Sequence, residues 1–253
     1  MSGPAELPYV GNELELFAHA RNWKRYWGSV ISPYLRGEVL EVGAGLGANT
    51  QLLRSHAAAV RRWVCLEPDS RLLEQLRGAV RSPGEIAPSR ERPNVEARLG
   101  TVESLDASER FDAILYIDVL EHIPDDAMEI RRAAARLREG GHLIVLSPAH
   151  QWLFSPFDRA IGHHRRYTRG SMKQRAEGVD GLRLERCWYL DACGLFASAA
   201  NKLLLRQAMP TLPQILFWDR VLVRGSRVMD RLLLHRFGKS VLAIWKRAGD
   251  QRA

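Results

Sequence analysis

The chain has few cysteines, and their spacing excludes the usual disulfide and zinc frameworks. Cys65, Cys187 and Cys193 are the three cysteines among 253 residues, and no two of them form a C-x-x-C pair. Three cysteines supply neither a set of paired bridges nor the four thiolates of a structural zinc site. We therefore expect a reducing, cytoplasmic location.

Long apolar runs are also missing. No uninterrupted apolar stretch approaches the roughly twenty residues that a membrane-spanning helix needs. The first seventeen residues, MSGPAELPYVGNELELF, contain early acidic residues and no apolar centre. We expect neither a signal peptide nor a spanning helix.

The charge of the chain is unbalanced but not concentrated. Its net charge is +8 and its pI about 9.8, yet no run of five like charges occurs. Such an excess can indicate an anionic partner such as nucleic acid, a phosphorylated substrate or a membrane surface. Because the arginines occur in every segment, scattering over solvated faces is the favoured interpretation, and a nucleic-acid partner is not expected.

A glycine-rich turn stands between a short apolar strand and a helical pattern. Residues 38–51 read EVLEVGAGLGANTQ and contain Gly43, Gly45 and Gly47. Glycine permits positive φ and close approach of a ligand, and the following helix start offers unpaired N–H groups. The pattern Gly43-x-Gly45-x-x-Ala48, with Glu67 about twenty residues later, satisfies a dinucleotide-binding fingerprint. A lone glycine-rich turn does not decide the ligand.

Apolar segments that alternate with helical patterns predict a parallel sheet. The predicted strands are Val39–Val42, Arg62–Glu67, Val95–Leu99, Phe111–Ile117, Leu143–Leu146, Leu182–Leu190 and a closing strand over Val241–Arg247. This alternation is typical of a doubly wound α/β sheet, whose ligands bind beyond the carboxyl ends of the strands. Glu67, Thr101, Asp118 and Ser147 stand at such ends.

Local signals predict where several helices begin and end. One helix is predicted over Asn12–Ser29, and Ser70 is predicted to cap a helix through Arg81. Gly140–Gly141 are predicted to end the helix that begins at Asp125. Pro210 and Pro213 are predicted to split a long apolar and helical insertion before the closing strand.

The flanks of the turn resemble the class I S-adenosylmethionine-dependent methyltransferases. The matching pieces are LEVGAGLG, in which Glu41 precedes the three glycines, the strand-ending Glu67, GTVESL and FDAILYIDVLEHIPDD. LEHIPD is similar to the ubiquinone and menaquinone biosynthesis type, and SPAHQWLFSPFDRAIGHHRRYT to a bacterial subgroup of glycolipid and natural-product pathways. The resemblance implies a Rossmann-like, mostly parallel seven-stranded sheet with an antiparallel closing strand.

The resemblance also implies one domain with two additions. Residues 1–36 would form an N-terminal helical lid, 37–190 the cofactor-binding core, 191–238 a helical cap, and 239–253 the closing strand and tail. The cap could cover the acceptor site, bury a homodimer interface, or touch a membrane through its interleaved apolar and basic residues. Ordinary packing of the cap is the simplest of these alternatives.

The implied cofactor is S-adenosyl-L-methionine, whose positive sulfonium suits a site with several acids. A pyrophosphate would instead meet Glu41, Glu67 and Asp118, which disfavours the dinucleotide alternative. Thr101 stands where the family usually has aspartate, which puts the usual contact to the adenine amino group in doubt. The residues that the resemblance assigns to the cofactor are Glu41, Gly43, Gly45, Gly47, Glu67, Asp69, Thr101, Val102, Tyr116, Ile117 and Asp118.

Histidine is the expected base if the methyl acceptor must lose a proton, because its pKa lies near neutrality. The candidates are His122, which follows the fourth strand, and His163 in the loop after the fifth. His122 could also be a helix-start residue, and the His/Arg loop could be merely exposed and basic. The predicted substrate-binding residues are Trp23, Tyr26, His164, Arg166 and Tyr167. No metal is predicted, because Asp158 and the two histidines match no familiar ligand spacing.

The predicted function is transfer of a methyl group to an oxygen or nitrogen of a small-molecule acceptor. Two alternatives are a binding module without turnover and a nucleic-acid methyltransferase. Against the latter, the chain lacks an N/D-P-P-Y/F motif, and LEHIPD occupies that position.

Overall fold

The computed structural model describes residues 9, 11, 13–55, 58–81, 93–202 and 210–249. The described residues form one seven-stranded sheet in the order β3-β2-β1-β4-β5-β7-β6. β1 to β5 run parallel, and β7 runs antiparallel between β5 and β6. The strands are β1 Gly37–Val42, β2 Val60–Glu67, β3 Asn94–Leu99, β4 Phe111–Ile117, β5 Leu137–Pro148, β6 Leu182–Leu190 and β7 Ser240–Arg247. The predicted fold class is confirmed.

The described residues include ten α-helices, which lie between the strands, before β1 and in the segment before β7. They are α1 Glu13–Ala18, α2 Arg21–Ile31, α3 Ala48–Arg54, α4 Ser70–Arg81, α5 Asp126–Ala135, α6 Pro156–Ala160, α7 Arg169–Gln174, α8 Ala192–Ala200, α9 Leu212–Phe217 and α10 Val223–Leu232. None of the described helices combines the length and apolarity that crossing a bilayer requires. Residues 1–8 of the expected lid and 250–253 of the expected tail lie outside the described residues.

The central strands are apolar on both faces because helices cover both sides of the sheet. Successive residues of β1 and β4 alternate between two core clusters, with Val39 and Ala113 in one and Leu40 and Ile114 in the other. The near-continuous apolar runs of these strands are therefore what a doubly covered parallel sheet requires.

The prediction that Gly140–Gly141 end a helix is wrong. α5 ends at Ala135, and both glycines lie inside β5. The pairing of β4 with β5 shifts register at this point, and Gly140 adopts a φ of +72°. A Cβ on Gly141 would lie 2.9 Å from the carbonyl oxygen of Arg138. The glycines form an irregularity within a strand and not a helix terminus.

The single helix predicted over Asn12–Ser29 is two helices. The chain leaves helical geometry at Ala20, where ψ is +64°, and α2 then begins at Arg21. Asp219, far away in the sequence, accepts hydrogen bonds from the backbone N–H groups of Asn22 (3.1 Å) and Trp23 (2.8 Å). A tertiary carboxylate thus satisfies N–H groups that begin the second helix.

One further local prediction needs correction. Asp69, and not Ser70, caps α4, because its Oδ1 accepts from the backbone N–H groups of Arg71 (2.8 Å) and Leu72 (3.0 Å). The prediction that Pro210 and Pro213 split the insertion agrees with the structure, in which α8 ends at Ala200 and α9 begins at Leu212 with Pro213 in its first turn, where no intrahelical N–H is needed.

Candidate functional site

The glycine turn joins β1 to α3 at the carboxyl edge of the sheet. Gly43, Gly45 and Gly47 all have left-handed backbone conformations, with φ of +65°, +53° and +75°. A Cβ on Gly43 would lie 2.7 Å from Val119, whereas one on Gly45 would have only an ordinary contact with Leu14 at 3.5 Å. Gly43 is therefore required by both conformation and space, and Gly45 by conformation and by access to its backbone.

Glu67 is held at the carboxyl end of β2 by the backbone of the turn. Its Oε2 accepts from the N–H of Gly45 at 2.8 Å, and its Oε1 accepts from the N–H of Asp69 at 3.0 Å. Burial raises the pKa of Glu67, and the two backbone hydrogen bonds partly offset that effect. The carboxylate is thus fixed beside the turn before any ligand binds.

Glu41 lies beneath the turn, almost completely buried. Its Oε2 accepts from the Thr50 hydroxyl at 2.7 Å and from the Trp63 indole N–H at 2.9 Å. Its Oε1 has no hydrogen-bond partner among the described residues, and burial raises the pKa of the carboxyl group to about 7. One buried carboxyl oxygen therefore lies beneath the turn without a partner among the described residues.

The remaining predicted cofactor residues lie around the same edge. Asp69 is buried and committed to capping α4, and its Oδ2 also accepts from the N–H of Tyr9 at 2.7 Å. Thr101 and the buried Val102 follow β3, and the Thr101 carbonyl accepts from Ser104. Tyr116 and Ile117 end β4, where the Tyr116 hydroxyl donates to Glu129 at 2.7 Å.

Asp118 follows the end of β4 and stands among charged groups from other parts of the chain. Its backbone has a φ of +54°, a conformation that aspartate tolerates better than most residues. The side chain is exposed, yet protein surrounds it closely enough that burial is the largest influence on its pKa and raises it. His163, Lys24, Lys239 and Arg166 oppose that rise in the pKa. We call the space around Asp118 that these charged groups border the cleft.

Glu121, His122 and His163 converge next to Asp118. The two histidine rings meet edge to face, with centroids 4.5 Å apart. Glu121 is fully buried, the Ser147 side chain is near enough to its carboxyl group to act on its pKa, and His163 Nε2 lies 3.8 Å from Oε1. Burial and then repulsion from Asp118 raise the pKa of Glu121 well above its usual range. Burial also lowers the pKa of His122 to about 4, so this imidazole is neutral at physiological pH.

His163 is oriented by a buried aspartate. Its Nδ1 lies 2.9 Å from Asp158 Oδ1, and Arg166 binds the same carboxylate through Nε (2.8 Å) and Nη2 (3.0 Å). Burial acts to raise the pKa of Asp158, but the hydrogen bonds from His163 and Arg166 outweigh it and hold the pKa well below its usual range. The ionised carboxylate fixes Nδ1 as the protonated nitrogen, which leaves Nε2 free as an acceptor.

The predicted substrate-binding residues differ in exposure, and several of them already have hydrogen-bond partners within the protein. His164 is exposed, whereas the neighbouring His163 faces inward, against Asp158. Tyr167 is buried, and its hydroxyl donates to Asp126 at 2.7 Å. Trp23 and Tyr26 are buried, and the Tyr26 hydroxyl donates to Asp230 at 2.8 Å. Direct substrate contact by these residues stays a prediction, which this burial does not favour.

Side chains of the types that bind metal ions come together in this cluster. One ligand atom each from Glu121, His122 and His163 lie within 4.8 Å of one another. The high pKa of Glu121 favours its protonated form, which is a poor ligand. The sequence-based prediction that no metal is used remains a prediction.

Three charged groups of the cleft were missed by sequence reasoning. Glu121 adjoins His122 in LEHIPD and could have been found from that motif. Lys24 of α2 and Lys239 before β7 are brought together only by the fold, and both are close enough to Asp118 to act on its pKa. No local pattern marks either lysine as a site residue.

The sheet order, the glycine turn and the acids at the strand ends define a nucleotide-binding α/β enzyme fold. A model of the methyltransferase domain family matches residues 17–189, and the chain belongs to that family. This confirms the resemblance inferred from the sequence motifs.

Individual relatives extend the comparison only in part. A ubiquinone biosynthesis O-methyltransferase of Bradyrhizobium diazoefficiens is 30% identical over 119 residues, which are 45% of this chain and 41% of that protein. The chain thus matches about two fifths of the length of that relative.

Solved structures share the fold at low sequence identity. A coclaurine N-methyltransferase bound to N-methylheliamine and SAH has a TM-score of 0.59 at 14% identity, covering 96% of this chain and 83% of that one. The [4+2]-cyclase SpnF has a TM-score of 0.58 at 15% identity, covering 97% and 89%. Because one of these proteins is a cyclase, the fold alone does not fix the reaction.

Proposed function

We propose that this protein transfers the methyl group of S-adenosyl-L-methionine to an oxygen or nitrogen of a small-molecule acceptor. The observation that carries the proposal is the carboxylate of Glu67, fixed beside the glycine turn by the N–H groups of Gly45 and Asp69. A carboxylate in that position can accept two ribose hydroxyls. The family membership and the relatives named as methyltransferases support the same reaction.

The residues around the turn fit a cationic nucleoside. Glu41 contributes an orphaned buried oxygen, and Asp118 contributes a carboxylate inside the cleft. Val102 would border the adenine, and the backbone at Tyr116 and Ile117 would flank the methionine portion. A dinucleotide pyrophosphate would meet repulsion from these acids, so the sulfonium nucleoside is the better match.

His163 acts as the general base in this proposal. S-adenosylmethionine supplies the electrophilic methyl carbon when bound. Nε2 of His163 accepts the proton of an acceptor hydroxyl as its oxygen bonds to that carbon. For an acceptor ammonium group, Nε2 takes the proton first, and the freed electron pair of the nitrogen then forms the bond. In both cases the sulfur keeps the electrons of the broken bond. Asp158 stabilises the imidazolium that forms, and Arg166 holds Asp158 in place. His122 lacks such a carboxylate partner in the described structure, which makes it the weaker of the two candidate bases.

The segments at either side of the core enclose the reaction. Leu14 of α1 lies over Gly45, so we assign residues 1–36 to a lid. The segment 191–238 packs on α2 through Asp219 and Asp230 and places Lys239 against Trp218, so we assign it to a cap beside the acceptor site. Enclosure favours methyl transfer because it excludes water from the reacting atoms. A cytoplasmic location remains part of this proposal.

Transfer of a labelled methyl group to a panel of phenols, amines and hydroxy acids tests the proposal. His163→Ala should lower kcat by roughly 10²- to 10⁴-fold and leave the KM for the methyl donor unchanged. Asp158→Asn should reduce kcat less and shift its pH profile, since the imidazolium loses its counter-charge. Glu74→Gln is the control, because this side chain is exposed on α4 and belongs to no part of the site. Unchanged kcat in His163→Ala would exclude His163 as the general base. Binding of the methyl donor without transfer to any acceptor would favour the alternative of a binding module without turnover.

A further inference from the structure

Large apolar side chains are exposed mainly on one part of the molecule. Twelve are exposed among the described residues, and nine of these lie between residues 191 and 238. They are Phe196, Leu212, Phe217, Val221, Val228, Met229, Leu232, Leu234 and Phe237. Concentration of exposed apolar area on one segment marks an interaction surface better than scattered single residues do.

Four of these residues form a stripe along one continuous helix. α9, a π-helical segment over Trp218–Leu222 and α10 follow one another without a break from Leu212 to Leu232. Phe217, Val221, Val228 and Leu232 are spaced by four, seven and four residues, which places them on one face. Phe217 is 58% exposed and Leu232 is 72% exposed. We call these four residues the apolar stripe.

The opposite face of the same helix is already packed against the protein. Trp218, Asp219, Val223, Ser226 and Asp230 are buried. Asp230 accepts from the backbone N–H groups of Asp191 (2.7 Å) and Ala192 (2.8 Å), and Ser226 donates to Asp191 at 2.6 Å. The helix is therefore held in this orientation, and the apolar stripe cannot turn inward without breaking these bonds.

A row of arginines borders the apolar stripe. Arg220, Arg224 and Arg231 each follow a stripe residue by three positions, and Arg227 continues the row. All four are exposed, and none forms an ion pair within the part of the chain that the structure describes. The only acidic residues between positions 210 and 239 are Asp219 and Asp230, and both are buried. The exposed charge of this face is thus entirely positive.

We propose that the apolar stripe and its arginine row dock the protein on the surface of an anionic lipid bilayer. In an interfacial helix, apolar side chains enter the boundary of the acyl chains, and neighbouring cations bind the phosphate groups of the lipids. The apolar stripe and the arginine row have this arrangement. A second copy of the chain suits this face less well, because a symmetric contact would add an unpaired arginine row from each subunit and no exposed acid.

Docking on this face leaves the cleft accessible from another side. Trp218 and Asp219, on the packed face of the helix, contact Lys239 and α2, which border the cleft. The bilayer would thus lie behind the segment that we assign to the cap. Docking does not rest on the proposed methyl transfer and can be measured without cofactor or acceptor.

Cosedimentation with vesicles tests the proposal on the full chain. We expect binding to vesicles of phosphatidylglycerol and phosphatidylcholine, at least tenfold weaker binding to phosphatidylcholine alone, and steady loss of binding as salt rises. Replacing Arg220, Arg224, Arg227 and Arg231 by glutamine should weaken binding at least tenfold. Replacing the exposed Arg61, Arg81, Arg131 and Arg183 by glutamine makes the same change in net charge and should have a much smaller effect.

A second pair of variants tests the apolar stripe and does not depend on the charge series. Phe217→Gln with Leu232→Gln should weaken vesicle binding at least tenfold, whereas Met128→Gln with Leu184→Gln, two exposed residues outside the segment, should not. Circular dichroism melting curves verify that each variant is folded. Absence of binding to anionic vesicles, or equal loss in both matched pairs, would overturn the proposal. So would a dimer, seen by analytical ultracentrifugation, that the Phe217→Gln and Leu232→Gln pair dissociates.

Discussion

At the scale of single residues, the cleft is lined by ionisable side chains, and burial within the protein shifts the pKa of several of them. Glu67, Asp118, His122 and His163 could be placed at the site from the sequence, because each follows a strand or lies in a recognisable motif. The approach of Lys24 and Lys239 to Asp118 could not, since these residues lie far apart in the sequence and are brought together by the packing of α2 and the start of β7. Contacts between distant segments are set by the whole packing and leave no local pattern.

Glu41 gives a test of these electrostatics through folding stability. Its pKa is raised from 4.5 to about 7 by burial, so between these values the folded chain holds a proton that the unfolded chain has lost. The stabilisation is fully present below pH 4.5 and is lost as the pH rises through 7, amounting to about 3 kcal/mol. Glu41→Gln removes the titrating group.

Urea unfolding at several pH values, without ligand, measures this effect. The free energy of unfolding of the unmodified chain relative to Glu41→Gln should fall as the pH is raised from 4.5 to 7. Glu74→Gln, at an exposed helix position, is the control and should show no such trend. Parallel stability curves for Glu41→Gln and the unmodified chain would contradict the assignment.

At the scale of elements, the sequence predicted the strands well and the helix limits less well. β4 and β6 have the predicted limits, since their ends coincide with changes from apolar to polar residues. The break between α1 and α2 was missed because Asp219, which accepts from the first N–H groups of α2, is nearly two hundred residues away. The prediction that Gly140–Gly141 end a helix was wrong because glycines occur at irregularities within strands as well as at helix ends.

The glycine turn can be tested by alanine substitution. Gly43→Ala should destabilise the fold by more than about 2 kcal/mol, because a left-handed residue would also press its Cβ against Val119. Gly45→Ala should destabilise the fold by only about 1 kcal/mol, since the new Cβ has no close contact and only the left-handed backbone is strained. Gly78→Ala, inside α4 with open space around its Cβ, is the control and should stabilise by up to about 1 kcal/mol. Equal losses at Gly43 and Gly45 in urea unfolding would show that Val119 does not limit the turn.

At the scale of the whole molecule, α2 and the segment before β7 contact each other near the carboxyl edge of the sheet. Asp219 and Asp230, from the segment before β7, accept hydrogen bonds from α2 near the N-terminus. Lys24 and Lys239 approach Asp118 as a result. The sequence indicated that additions surround the core, but it could not show that they meet, because both contacts use isolated acids without a motif.

The proposed function requires that the glycine turn and Glu67 hold S-adenosyl-L-methionine. Isothermal titration calorimetry of the full chain with this nucleoside and with NAD tests it directly. We expect binding of the sulfonium nucleoside, no comparable binding of NAD, at least a tenfold weaker affinity in Glu67→Gln, and unchanged affinity in Glu74→Gln. Tighter binding of NAD, or an affinity for S-adenosyl-L-methionine that Glu67→Gln leaves unchanged, would contradict the account.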